Sequence, residues 1–165
     1  MVLTKAELIG SLQNEVRILL HLAGKVEPSM LDYRPTPKQR STIELLKYLT
    51  LMGPILTKSA IAGEFDAAGW TEADKANETR SFDDVVKVIA AQHDTFAQLL
   101  GELSDEAFRE TVSMFGMSQS RGSFLVNVVL SGFAAYRTQL FLYLKACGRE
   151  ELSTMNLWAG MDARD

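Results

Sequence analysis

One cysteine and two histidines in 165 residues leave the chain poor in the side chains that most often build disulfides and transition-metal centres. A single thiol, Cys147, excludes an intrachain disulfide. His21 and His93 share no spacing motif, and two imidazoles without a third ligand in register make a weak metal case. Long apolar runs are missing as well. The most apolar stretch, Phe124 to Tyr136, is interrupted by Asn127 and Ser131 and followed by Arg137, short of the ~20 residues that cross a bilayer. Basic excess is absent: a formal charge of −4 and a pI near 5.3 argue against the concentrated positive surface that nucleic acid requires. The opening Met1-Val2-Leu3-Thr4-Lys5-Ala6-Glu7 has no apolar signal core behind a basic head. A cytoplasmic location with neither membrane nor nucleic acid as partner is therefore expected.

Catalytic templates are equally scarce. There is no phosphate-cradling glycine loop and no dinucleotide fingerprint. Ser118 to Ser123 is serine-rich but lacks the strand–turn–helix setting of a nucleophile elbow. Cys147 has no histidine beside it in sequence and reads as an inert thiol. No catalytic residue is assigned, and no cofactor is expected.

What the chain does have is helical patterning. Hydrophobic residues make up 47% and charged residues 23%, ordinary values for one globular domain over residues 1–165. Thr4 and Glu7 have capping-box spacing, and Leu8, Leu12, Val16 and Leu19 follow at helical intervals up to Gly24. Pro28, Pro35 and Pro37 mark an extended link before Ser41, which pairs with Glu44 to start a second helix. Gly53-Pro54 interrupts that helix, and a kink or break is expected there. A polar connection from Glu64 to Arg80 calls for a short helix from Thr71, with Trp70 folded onto the bundle. A third long helix starts near Ser81. An extended or hairpin-like crossing over Thr111 to Gly122 precedes a fourth helix, Ser123 to Cys147, stopped by Gly148. That helix is apolar around most of its circumference, so it is central or shared with a second subunit. The tail carries Leu152, Met155, Leu157, Trp158 and Met161 and should pack back on the bundle or on a partner. The fold class is an all-α, four-helix bundle with an extended crossing before the last helix.

Three stretches together resemble the DinB/YfiT-like superfamily over nearly the whole chain: Leu31-Asp32-Tyr33-Arg34-Pro35, Ser41-Thr42-Ile43-Glu44-Leu45-Leu46-Lys47-Tyr48-Leu49, and Arg137-Thr138-Gln139-Leu140 running to Gly148. The resemblance implies an up-down-down-up bundle, frequent homodimers, and metal-dependent transferases or isomerases that use low-molecular-weight thiols. Members commonly hold a divalent metal with a histidine triad. Those three positions here are Tyr48, Gly132 and Tyr136, so metal-dependent catalysis is not carried over and no metal ligand is assigned.

On the last helix Gly132, Tyr136, Gln139 and Tyr143 fall on one stripe, because successive residues advance about 100°. If Tyr48 faces it, the cleft holds phenols, an amide and a glycine gap. These suit small polar ligands and are poor partners for zinc or nickel. The favoured expectation is that Tyr48 and Tyr136 fill the former metal cavity and hydrogen-bond each other. A small-molecule pocket is the alternative, and His21 is a further candidate if it reaches Tyr48. Arg34, Lys38 and Arg40 lead into the start of the second helix and form a candidate anion site, although a solvated loop is the favoured reading. The functional expectation is a metal-free DinB-like domain that binds a small ligand in its inter-helix cleft. The alternatives are a thiol-dependent transferase or isomerase with a rebuilt active site, and a homodimeric interaction protein.

Overall fold

Hydroxyl side chains start each of the four long helices, satisfying backbone N–H groups that the first turn leaves free. The computed structural model describes residues 3–163. Helix α1, Lys5–Ala23, opens on Thr4, and helix α2, Thr42–Ala62, on Ser41. Both form complete capping boxes with Glu7 and Glu44. Helix α3 spans Ala67–Asn77. It begins at Ala67 and not at Thr71, because the Asp66 carboxylate accepts from the Gly69 N–H at 2.8 Å and caps it there. Helix α4, Phe82–Gly101, starts on Ser81. Helix α5 runs Arg121–Ala146, ahead of the expected Ser123, since Ser120 is the cap and Ser123 supplies the N–H it accepts.

The crossing before α5 is a two-stranded antiparallel hairpin, β1 (Thr111–Met114) with β2 (Met117–Ser120). Its two-residue turn, Phe115-Gly116, has φ of 53° and 75°. A turn with two positive φ values matches the twist of a tight hairpin, but it usually carries Asn-Gly. A phenylalanine in the left-handed region is strained and leaves its ring outside, 57% exposed.

Of the kink or break expected at Pro54, the break does not occur: α2 runs through it without interruption. The carbonyl that proline cannot satisfy is that of Thr50, four residues back. Gln92 of α4 takes over, its Nε2 donating to Leu49 O at 2.8 Å and Thr50 O at 3.2 Å. Side-chain amide thus replaces backbone donor, and the helix continues.

The core is aliphatic and aromatic: Leu12, Leu19, Leu45, Leu49, Ile89, Phe96, Phe124 and Phe133 are fully buried. Phe96 and Phe133 meet edge to face at 5.8 Å directly over Gly53. A Cβ on that glycine would lie 2.7 Å from the Phe133 ring and 2.9 Å from Phe96, so only glycine lets α2 come this close. One charged pair also lies inside. Arg137 Nε donates to Glu15 at 2.5 Å, joining α5 to α1, while its Nη1 donates to the Leu157 carbonyl of the tail. The tail packs back as expected, with Leu152 and Asn156 buried.

Helix α5 is long and apolar enough by composition to span a bilayer. Within the bundle it buries Phe124, Leu125, Val129, Phe133, Leu140 and Leu144 against its neighbours, while Leu142 stays exposed. Its Leu125–Leu130 segment is π-helical. Ser131 Oγ donates to Val126 O at 2.9 Å across the widened turn.

Gly53→Ala should lower unfolding stability by about 1–3 kcal/mol, the usual range for overfilling a close-packed core. Urea denaturation followed by circular dichroism measures it. An unchanged midpoint would mean that the two rings yield freely, against the geometry.

Candidate functional site

Tyr48 projects from the second turn of α2, and Tyr136 lies across from it on α5. Their rings meet edge to face with centroids 5.0 Å apart. Gly132, one turn earlier on α5, faces Met52, one turn later on α2. A Cβ at Gly132 would lie 3.2 Å from Met52 Cε and 3.3 Å from its sulfur. The positions that the sequence compares with a histidine triad are therefore neighbours, and phenol rings and a thioether fill the space between them. Burial, and then the Tyr136 phenol beside it, push the Tyr48 hydroxyl well above its usual pKa of 10. A phenol held neutral and a thioether are poor donors for zinc or nickel. Among the described residues, no group of three or more His, Cys, Asp or Glu side chains is arranged to hold an ion. The residues present do not fit a metal centre.

On the other side of Tyr48, the α2–α3 junction forms an open cleft of about 380 Å³. Tyr48, Leu51 and Trp70 form its apolar walls, and Arg40, Glu44, Lys47, Asp74, Asn77 and Glu78 line its rim. Trp70 meets the Tyr48 ring edge-on at 5.8 Å, and the Arg40 guanidinium sits 4.0 Å over the Tyr48 ring centre. Helix α3 is held there by Asn77, buried, whose Nδ2 donates to Lys47 O at 2.8 Å and whose Oδ1 accepts from Arg80 at 2.7 Å. Beyond Trp70 the aromatic contacts continue through Phe65, at 5.7 Å, to Phe115 at the hairpin turn, a further 5.4 Å.

The remaining sequence candidates are distributed elsewhere. Gln139 donates to the Tyr143 hydroxyl at 2.5 Å, and that hydroxyl donates to Arg40 O at 2.9 Å. With Tyr33 stacked edge-on to Tyr143 at 5.4 Å, this group fixes the backbone of the link and does not line the cleft. His21 does not meet Tyr48. Its Nε2 lies 3.1 Å from Asn156 Nδ2 and 3.7 Å from Asp162 in the tail. Burial lowers its pKa, with Asp162 opposing. The basic trio does not converge: Arg34 pairs with Glu44 at 3.2 Å, Lys38 is exposed, and Arg40 lies on Tyr48. The Cys147 thiol is half-buried and pushed up by burial, which leaves little nucleophilic thiolate at neutral pH. A larger apolar hollow, about 500 Å³, opens between the starts of α1 and α5, bordered by Leu8, Phe108 and Val126. It contains none of the candidates.

Sequence reasoning missed Met52, although its spacing of four from Tyr48 on one helix put it on the same face. It also missed Arg137 as a buried strut, for which no local signal exists because the partner, Glu15, is remote in sequence.

No protein-family model matches the chain, and no curated protein does. Among solved structures, it is similar to the crystal structure of a DinB-like protein from Bacillus subtilis. The two share 17% identity with a TM-score of 0.70, over 88% of this chain and 95% of the other. At that identity the likeness concerns the fold. The chain has an all-α, DinB-like fold, and the described residues contain no evident metal-binding cluster.

The raised Tyr48 pKa makes a pH prediction. Tyr48 stays protonated in the folded protein where the unfolded chain, with an ordinary phenol, has begun to ionise. Its stabilising contribution is present below about pH 10 and lost as pH rises beyond it. Urea melts from about pH 9 to pH 11.5 should show stability falling more steeply in the wild type than in Tyr48→Phe. Parallel pH profiles would place the Tyr48 hydroxyl in solvent.

Proposed function

We propose that this protein is a metal-independent DinB-like domain that binds a small ligand at Tyr48, on the α2–α3 side of the bundle. Four long helices in up-down-down-up order provide the frame. Supporting contacts are Gln92 with Leu49 and Phe96 with Gly53, which align α2 with α4; Lys5 with Gly101, which opposes α1 to α4; and Glu15 with Arg137, beside the parallel α1 and α5. One observation carries the reading: the Tyr48–Tyr136 contact and Met52 occupy the space between α2 and α5, while the hollow next to Tyr48 lies toward Trp70. Two aromatic rings beside several polar groups give the cleft both an apolar surface and groups that can orient a small ligand.

Elemental analysis tests the metal-independent part. Protein equilibrated with excess zinc or nickel and then desalted should retain far less than one ion per chain. Retention of one ion per chain would overturn the reading.

A second reading, compatible with the first, is self-association. Leu142 on α5 is 58% exposed, and Trp158, which covers the Arg137 guanidinium at 5.4 Å, is 66% exposed. Large apolar side chains of this kind at the α5–tail surface suit the face of a homodimer. Light scattering at micromolar concentration should give twice the chain mass of 18.3 kDa, and Trp158→Glu should shift it to the monomer. A monomeric wild type removes this reading and leaves the cleft untouched.

A further inference from the structure

We propose that the Tyr48–Trp70 cleft is a site for a small organic cation, of the quaternary-ammonium or alkylammonium class; this deepens the ligand-binding reading above and rests on it. The argument starts from Arg40. Its guanidinium lies 4.0 Å from the Tyr48 ring centre, yet the side chain makes no hydrogen bond or ion pair among the described residues. The ring face is what holds it. Attraction between a cation and the negative face of an aromatic ring is the physical basis of such a seat. Arg40 therefore acts as a resident stand-in for a ligand: its backbone is tied down through the Tyr143 hydroxyl, but its exposed side chain is free to swing away.

The cleft of about 380 Å³ beside Arg40 is bordered by the Tyr48 and Trp70 rings, which touch each other at 5.8 Å, inclined 63°, and moving the guanidinium away bares the Tyr48 face that it covers. A bared ring face attracts an ammonium group and repels an anion. The charges on the rim agree. Glu44 is engaged by Ser41 and Arg34, but the Asp74 and Glu78 side chains have no ion-pair or hydrogen-bond partner among the described residues. With Arg40 in place, it and Lys47 balance Asp74 and Glu78 across the cleft; once the guanidinium swings away, two carboxylates face one ammonium, and the balance favours a cationic ligand over a carboxylate or phosphate. Lys47 is the opposing group. Its ammonium reaches toward Glu78 O at 3.5 Å, partly spent on that carbonyl.

Three shape-matched probes separate charge from shape: choline, neutral 3,3-dimethylbutan-1-ol and anionic 3,3-dimethylbutanoate. Binding is read by saturation-transfer NMR and isothermal titration on the full-length chain. Choline should bind the wild type, and Arg40→Ala should bind it roughly threefold or more tightly, because the resident cation no longer competes. Trp70→Leu, whose side chain is partly exposed, should lose that binding while keeping its helical circular dichroism, and Asp74→Asn with Glu78→Gln should weaken it. Equal binding of the alcohol, or tighter binding of the butanoate, would overturn the cation assignment while keeping a ligand cleft. Failure of all three probes in both wild type and Arg40→Ala would overturn the cation site and the cleft together.

Discussion

How closely α2 and α5 approach decides most of what this bundle can do. At Gly53 the Phe133 and Phe96 rings press onto bare backbone, and at Gly132 the Met52 thioether does the same from the other side. One turn away along both helices, the two are near enough for Tyr48 and Tyr136 to meet ring to ring. The space that a histidine triad would need is consumed by carbon and sulfur. Such contacts make up a dense interior in which a polar ion would have to displace well-packed groups. The open space beside Tyr48 lies instead on its other side, toward Trp70 and α3.

The same closeness explains how an otherwise awkward segment is tolerated. A proline next to Gly53 removes a helix hydrogen bond just where the backbones are most crowded. The Gln92 amide from α4 supplies two donor contacts to the carbonyls above it. An unsatisfied buried carbonyl would cost about 1–3 kcal/mol. Its repair by a third helix makes α4 a structural partner of the α2–α5 contact.

Much of the architecture was legible in the sequence because it is written in local chemistry. Thr4 with Glu7 and Ser41 with Glu44 marked helix starts whose capping boxes are present. Residues Thr111 to Gly122, with their glycines and serines, read as a crossing and contain the hairpin. The misreadings fall where a distant residue decides. Pro54 looked like a break because its rescuer, Gln92, sits on another helix. Asp66 is the cap of α3, while the Thr71 hydroxyl bonds back to Ala67 O inside the helix. At the site, the pairing of Tyr48 with Tyr136 followed from helical phase and from resemblance. The places of His21, Arg40 and Trp70 depend on how the tail, the link and α3 fold over the bundle, and no spacing rule encodes that.

The buried guanidinium of Arg137 has a consequence for the far end of the chain. Its two kinds of partner come from opposite parts of the sequence: a carboxylate on α1 and the Leu157 carbonyl in the tail. A buried charge that loses one acceptor is costly, so the tail belongs to the bundle's electrostatic interior and is more than a cover on its surface.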